Sequence, residues 1–411
     1  MPKRWGHLLE QIATEDNILQ ADIDAQRGKN NIGIIEHMKH QKKDNEKLLK
    51  DLGNLTYITS MYSTFTIYEP KERIIFRLPF YPDRIAHHAI MNIMEQRWVS
   101  IMINNTYACI KERGIHKLAE DIKKALRKDP NGIVYCLKLD IHKFYPSVNH
   151  SILKTILRRK IKDGRLLTVL DEIIDSSNGV PIGNYLSQFF ANLYLTYFDH
   201  YIKEVLKVKY YFRYCDDIAI FASSKEQLWD WFHKIKEYIE MSLKLSLKPS
   251  WQVYPIESRG VDFVGYRFYH DHTLLRTSIK KRINKLVDRY MEGLITKEDF
   301  MKSMPSYYGW LKHCNSHNYL YRLQCKTGIK FSAWDGKKSI ISNFYRRTVY
   351  LVEVERHNKY FALHFMFHGK SYSVKSKSKK LNKTVKAACL PMNFKIKRYG
   401  KSKKNSVRRA A

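Results

Sequence analysis

Apolar positions along this 411-residue chain change their spacing several times, and each change marks a different kind of element. From 1 to 55 charged residues dominate, Leu48, Leu49 and Leu52 form a short stripe at helical spacing, and Gly53-Asn54 reads as a stop. Tyr57 to Tyr68 alternates loosely and is β-prone, Pro70-Lys71-Glu72-Arg73 reads as a turn, and Ile74 to Leu78 as a strand. Pro82-Asp83-Arg84 precedes a helix starting near Ile85, with Asp83 as its candidate cap. A basic turn from Tyr107 to Gly114 leads into Ile115, Leu118, Ala119, Ile122 and Leu126 at helical spacing, ended by Asn131-Gly132.

Ile133 to Leu139 is a near-continuous apolar run, as expected of a strand in a helix-covered sheet, and it delivers Asp140 at its end. Ser151 is the candidate cap of a helix carrying Ile152, Leu153, Ile156 and Leu157. Pro181-Ile182-Gly183-Asn184 opens another, with Leu186, Phe189, Phe190, Leu193 and Tyr197 on its apolar side. Two β-prone runs, Lys209 to Arg213 and Ile218 to Ala222, flank Tyr214-Cys215-Asp216-Asp217 and predict a hairpin whose turn is Asp216-Asp217. A helix from 224 to about 243 follows, carrying Leu228, Trp231, Phe232, Ile235 and Ile239. The order strand, helix, helix, hairpin, helix, strand predicts an α+β fold with helices on one side of a sheet. Residues 277 to about 325 read as basic helix. Tyr350 to Glu355 and Phe361 to Phe367 alternate like strands, and His368-Gly369-Lys370 reads as a turn before Ser371 to Val374. No acidic residue follows Glu355, so 326–411 reads as a basic, β-containing appendage with a flexible end.

The formal charge of +33 points to a polyanionic partner, nucleic acid ahead of an anionic membrane. The 13% aromatic content, with 28 Tyr, suits stacking on exposed bases as well as packing in a core. Cysteines at 109, 136, 215, 314, 325 and 389 show no C-x-x-C spacing, which argues against a zinc site or redox pair. With no apolar leader and no apolar run of about 18 residues, a cytoplasmic protein with reduced thiols and no membrane association is expected.

Adjacent Asp216 and Asp217 repel one another, and a hard divalent cation, magnesium before manganese, would relieve that cost. A solvated acidic loop is the alternative for the pair alone, as a helix cap is for Asp140 alone. Together, one carboxylate from a strand end and two from a neighbouring hairpin can converge on two ions about 3.5–4 Å apart, the arrangement that stabilises both oxygens of a phosphoryl transfer.

Over roughly residues 56–320 the motifs resemble, in order, those of bacterial reverse transcriptases of the group-II-intron-like branch. The resemblance implies a right-hand polymerase fold: N-terminal helical extension 1–55, fingers 56–132, palm 133–276, α-helical thumb 277–325 and extension 326–411. It implies Asp140, Asp216 and Asp217 as catalytic metal ligands, with the Ile141 carbonyl as auxiliary ligand. Tyr145 in Leu139-Asp140-Ile141-His142-Lys143-Phe144-Tyr145-Pro146-Ser147 matches the bulky gate that selects deoxynucleotides. Lys71 and Arg73 fall where the family contacts the triphosphate, with Arg77 and Arg84 as further candidates. Arg113, Gly114 and His116 resemble the R-G-x-H step beside the template, Phe263-Val264-Gly265-Tyr266 the primer grip, and Lys248 a basic residue near the leaving pyrophosphate.

The segment Gly179-Val180-Pro181-Ile182-Gly183-Asn184-Tyr185-Leu186-Ser187-Gln188 departs from the common form. Most relatives carry Gln where Ile182 stands and Ser-Pro where Ser187-Gln188 stands. The form seen here resembles reverse transcriptases of diversity-generating retroelements, which implies low fidelity and places Ile182, Gly183 and Gln188 at the nucleotide. Cys215 departs from the usual Ala, Met or Val. An antiphage-defence reverse transcriptase acting with a noncoding RNA or partner protein is the alternative setting, and a nonenzymatic, RNA-binding maturase-like protein the alternative class. Expected partners are an RNA template, a DNA primer and product, dNTPs, a noncoding RNA, and an accessory protein or further copies of the chain.

Overall fold

The computed structural model describes residues 4–28, 32–68, 72–329, 349–356, 361–367, 370–376, 396–397 and 408–410. The chain divides into two compact units, Met1–Arg276 and Thr277–Ala411. The fold is α+β, as the hydrophobic pattern predicts.

The first unit begins with helices α1 (Leu9–Ile12), α2 (Glu15–Gln26) and α3 (Ile32–Asn54). Strands β1 (Ser63–Ile67) and β2 (Arg73–Arg77), then α4 (Ile85–Ser100) and α5 (Ile115–Lys128), lead to β3 (Tyr135–Asp140). Helices α6 (His150–Lys160), α7 (Gly164–Asp175), α8 (Tyr185–Tyr194) and α9 (Thr196–His200) precede the hairpin β4 (Tyr210–Tyr214) and β5 (Asp217–Ala222). After it come α10 (Lys225–Glu237), β6 (Gln252–Pro255), α11 (Ile256–Arg259), and the short strands β7 (Val261–Phe263), β8 (Tyr266–Phe268) and β9 (Thr273–Leu275).

The central sheet has the order β4-β5-β3-β6, antiparallel throughout. Strand alternation assigns its two faces. Leu137, Leu139, Ile218, Ile220 and Tyr211 point into the main core beside Phe189, Phe190 and Phe198. Cys136, Ala219 and Phe221 on the other face are equally buried. Double burial explains the near-continuous apolar run at 133–139, broken only by Lys138, and each fully buried side chain of Leu or Ile size contributes roughly 1.5–3 kcal/mol. Helix α10 packs on β3 and β5, while α5 packs on β4. The face that ends in Asp140 and Asp217 also carries Lys138.

The N-terminal segment is part of this core rather than an addition to it. Leu8, Leu9, Ile12, Ile18, Ala21 and Ala25 are buried in the same cluster as the sheet. Its backbone is held by Asp163, which accepts from the amides of Leu8 and Leu9 at 2.6 and 2.9 Å.

Three local expectations are corrected. Asp83 does not cap α4; it is buried and accepts from the Tyr57 hydroxyl at 2.8 Å and the Ser60 amide at 3.1 Å, pinning the chain entering β1. Asn149, not Ser151, caps α6, because the helix starts two residues earlier and the Asn149 side chain accepts from the Ile152 amide at 3.1 Å. Of the run Tyr57 to Tyr68 only Ser63–Ile67 is strand, because only there does it find a partner in β2.

A buried polar cluster joins α2 to α3. His37 lies between two carboxylates, Nε2 at 3.0 Å from Asp22 and Nδ1 at 2.9 Å from Asp44, with its ring stacked on Tyr81. Gln41, Gln26 and Asn45 also donate to Asp22. Burial pushes the imidazole down, but the hydrogen bonds and charge of Asp22 and Asp44 outweigh it and raise its pKa above 6.5. Burial would raise Asp22, yet the donors around it, His37 first, hold it at about 2. A raised histidine stabilises the fold fully below its unfolded pKa of 6.5, and that stability is lost as pH rises through the folded value. Asp22 contributes stability above 3.8 that is lost as pH falls towards about 2. The melting temperature should therefore decline on the alkaline side of pH 6.5. His37→Gln, which donates only from its amide nitrogen and does not titrate, should flatten that decline; an unchanged slope in this variant would assign it elsewhere.

The second unit opens with α12 (Thr277–Met291), α13 (Lys297–Leu311) and α14 (His317–Thr327), which enclose Ile283, Val287, Phe300, Met304 and Leu323. It continues with β10 (Val349–Arg356), β11 (Phe361–Phe367), β12 (Lys370–Ser376), β13 (Ile396–Lys397) and β14 (Arg408–Ala410), ordered β12-β11-β10-β14-β13. The turn read at His368-Gly369 and most of the basic end lie outside the described residues. Among the described residues no helix is long and apolar enough to cross a membrane, and all described cysteines are free thiols.

Candidate active site

Register sets the centre of the site. In the β3–β5 ladder Asp140 stands opposite Asp217, and in β4–β5 Tyr214 pairs with Asp217. Asp217 is thus the first residue of β5, and the turn consists of Cys215 and Asp216 rather than the two aspartates. Cys215 takes the left-handed conformation with φ +56°, which costs a non-glycine residue roughly 1–3 kcal/mol and must be held by its surroundings. The Ile141 amide donates to the Asp216 carbonyl at 3.4 Å and so closes the turn onto the end of β3.

Two ammonium groups meet the carboxylates. Lys248 donates from Nζ to Asp140 Oδ1 at 2.6 Å, and its amide binds the Asp140 carbonyl at 2.8 Å. Lys138 donates to Asp217 Oδ1 at 2.9 Å and sits 4.8 Å above the Phe263 ring. Burial, followed by the negative charge of Asp140 and then that of Asp217, raises the Asp216 carboxyl above its usual pKa. Cations relieve such crowding.

Among the described residues no three His, Cys, Asp or Glu side chains are gathered tightly enough to cage a metal ion. The chemistry of the donors nevertheless fits one. Asp140 and Asp217 remain about a third exposed, at 29% and 35%, both supply hard oxygens, and the two lysine ammonium groups stand where positive charge is required.

Tyr145 opens a single 3-10 turn, Tyr145–Ser147, just beyond β3. Its ring lies edge-on to Phe144, and its hydroxyl is 3.6 Å from the Cys215 sulfur, so the ring is braced against the turn of Cys215 and Asp216. Behind it the Val180 amide donates to the Tyr145 carbonyl at 2.9 Å. Gly179, at φ +64°, passes so close that a Cβ would lie 2.5 Å from the Pro146 carbonyl oxygen. The same loop reaches β2, where the Ile182 carbonyl accepts from the Phe76 amide at 2.8 Å. Gly183, at φ +124°, has no room for a Cβ, which would meet the Phe76 carbonyl oxygen at 2.4 Å. The loop 179–183 thereby links the tyrosine to β2.

A cleft of about 690 Å³ borders this loop, lined by Phe76, Arg77, Arg84, Gly183, Tyr185 and Gln188 among others. Burial first, and then the neighbouring Arg77, depress the Arg84 pKa, so two positive groups face this space. Arg73 begins β2, exposed, opposite Ile67. Lys71 lies outside the described residues.

The residues matched to template and primer divide into two groups. Arg113 donates from Nη1 to the carbonyls of Ile103 and Thr106 at 2.8 and 3.0 Å, bracing a loop, and Gly114 at φ +124° precedes α5. His116 faces the Tyr266 hydroxyl at 3.4 Å. Phe263 is fully buried on β7, and Gly265 at φ +86° with Val264 at φ +41° forms the turn into β8. Lys138 connects this turn region to the carboxylates.

Sequence reasoning missed Lys138 and the residues beneath the hairpin. Arg213, buried at 0% exposure, forms a two-pronged ion pair with Asp199. The available signal was a charge inside an apolar strand run, matched by another in Tyr197-Phe198-Asp199 on a buried helix.

Residues 70–268 match the family model described as "Reverse transcriptase (RNA-dependent DNA polymerase)". The chain is similar to Protein YkfC of Escherichia coli (strain K12), 26% identical over 249 residues, covering 49% of this chain and 65% of that protein. It has a distant likeness to telomerase of Candida albicans solved with a TWJ fragment of telomeric RNA, at TM-score 0.40 and 11% identity, covering 67% of this chain and 61% of that one. A truncated apo telomerase of Candida tropicalis gives TM-score 0.41 at 13% identity, covering 56% of this chain and 59% of that one. Over residues 70–268, just under half of its length, this chain is therefore similar to a reverse transcriptase domain.

Proposed function

We propose that the protein is an RNA-directed DNA polymerase that extends a primer with dNTPs through divalent-metal-assisted phosphoryl transfer at Asp140, Asp216 and Asp217. The observation that supports it most is the facing pair Asp140 and Asp217 at one sheet end, with Asp216 in the adjoining turn and Tyr145 braced against that turn. Two bound magnesium ions would supply charge stabilisation of the attacking and leaving oxygens. The carboxylates would hold them, with the Ile141 carbonyl as a further oxygen. Lys248 pairs with Asp140 before loading and would give a proton to the departing pyrophosphate. Tyr145 excludes a 2′-hydroxyl, and Arg73 and Lys71 bind the triphosphate. In this reading 56–132 serve as fingers, 133–276 as palm and 277–325 as thumb, with Arg113, Gly114 and His116 along the template and Phe263 and Gly265 at the primer end. The +33 charge suits RNA and DNA partners.

Low fidelity, as in a diversity-generating retroelement, is the setting the sequence favours. Ile182 has no side-chain group with which to hydrogen-bond a nucleotide or template base, and Gln188 lines the neighbouring cleft. An antiphage-defence role with a noncoding RNA is the second reading, favoured by the basic 326–411 segment beyond the family match. The test is extension of a DNA primer on a defined RNA template with and without magnesium, followed by sequencing of the product. Metal-dependent DNA with substitutions concentrated opposite template adenines is expected. No incorporation under any divalent ion refutes the polymerase, and an even, low error spectrum refutes the low-fidelity reading. Sequencing nucleic acid copurified from cells separates the two settings: a dedicated template RNA for the first, a companion noncoding RNA for the second.

A further inference from the structure

The floor beneath the catalytic turn is built around one guanidinium. Arg213 pairs across the ladder with Ile218, so its side chain points to the face opposite Asp140 and Asp217. It is wholly buried there, as is Asp199 on α9. Nε and Nη2 of Arg213 donate to the two Asp199 oxygens at 2.8 and 2.6 Å. Nη1 donates to Asn192 Oδ1 at 3.2 Å and to the Cys215 carbonyl at 2.9 Å, while Nη2 reaches the Thr106 hydroxyl at 3.3 Å. Asp199 accepts in addition from the Tyr211 hydroxyl at 2.5 Å and the Thr106 hydroxyl at 3.1 Å. Asn192 donates onward to the Ala108 carbonyl at 2.8 Å. The strand itself is clamped, with the Arg213 amide on the Asn105 carbonyl at 3.0 Å and the Tyr107 amide on the Arg213 carbonyl at 3.1 Å.

Helices α8 and α9, the 105–108 loop and β4 thus converge on Arg213. Its bond to Cys215 carries that rigidity into the turn. Cys215 is the left-handed residue, and the next residue is Asp216. A buried ion pair adds little to net stability compared with well-packed apolar side chains. What it supplies here is a donor aimed at the Cys215 carbonyl inside the turn.

We propose that Arg213 and Asp199 are positioning residues of the polymerase centre: by fixing the Cys215 carbonyl, the pair holds the turn that presents Asp216 and Asp217 to metal. This rests on reading the carboxylates as the metal site. A planar fork is required, because one nitrogen centre cannot satisfy both Asp199 and the Cys215 carbonyl.

The test compares the full-length wild-type chain with R213K, which keeps the positive charge on Asp199 but loses the fork. Mn2+ affinity is read by electron paramagnetic resonance, alongside single-nucleotide incorporation and thermal melting. In folded R213K, Mn2+ affinity and kcat are expected to drop about 10–100-fold, with little change in KM for dNTP. If R213K does not fold, D199N, which keeps the shape of the carboxylate, carries the same comparison. A purely structural role would lower the melting temperature and leave Mn2+ affinity of the folded protein unchanged; that result overturns the proposal. A wild-type chain that binds Mn2+ yet incorporates no nucleotide, with binding lost in R213K, refutes the polymerase reading and supports the positioning role. A wild-type chain that binds no Mn2+ overturns both.

Discussion

Asp140→Asn and Asp217→Asn should each abolish DNA synthesis, lowering dNTP incorporation on the order of 1,000-fold while leaving RNA affinity near wild type. Each substitution keeps the size of the side chain and removes one negative charge. The fold should tolerate it, since the Lys248–Asp140 and Lys138–Asp217 pairs are partly exposed and pairs of that kind contribute about 0–1 kcal/mol. Metal binding should not tolerate it, because an amide oxygen replaces an anionic ligand at a centre whose purpose is to concentrate negative charge. Primer extension on an RNA template, with RNA affinity and melting temperature measured on the same samples, checks the prediction. Full activity in both variants would remove these carboxylates from the chemistry. RNA affinity should be spared, because most of the surplus positive charge lies in 326–411, far along the chain from these carboxylates.

Tyr145→Val should relax sugar selection, raising incorporation of ribonucleotides relative to deoxynucleotides by roughly 10–200-fold, the range set by a few methylene-sized contacts. The ring is held from two sides, by Phe144 edge-on and by the Cys215 sulfur near its hydroxyl. A braced ring cannot swing aside for a 2′-hydroxyl, whereas a free one could. Valine removes the ring, keeps a branched apolar group at the turn, and leaves the Val180 bond to the residue 145 carbonyl unaffected, since that bond uses only backbone. Competition between each rNTP and its dNTP on one template measures the ratio. An unchanged ratio with intact activity would show that the ring faces something other than the sugar.

Much of the fold was legible in the sequence because local signals agreed. The apolar run before Asp140 was a buried strand, α10 began at Lys225 just after its cap Ser224, whose side chain accepts from the Gln227 amide at 3.2 Å, and the acidic hairpin formed where two β-prone runs met. Errors arose where a polar side chain had a distant partner. Asp83 looked like a cap and instead receives the Tyr57 hydroxyl across 26 positions. Asp217 looked like a turn residue and is a strand residue, because register with Tyr214 and Asp140 decides where the turn lies.

The sequence by itself determined the α+β class, the order of the elements and the basic character, since these depend on period, composition and local spacing, whereas Tyr145 was singled out only by family resemblance. Only the tertiary structure decided what stands against the carboxylates and Tyr145. It set Lys248 on Asp140, Lys138 between Asp217 and Phe263, the 179–183 loop between Tyr145 and β2, and Arg213 with Asp199 under the turn. Each of these contacts joins segments far apart in the chain, except for the short reach from Asp199 to Arg213. In all of them the direction of a side chain follows from strand register and helix packing, which no local pattern of residues encodes.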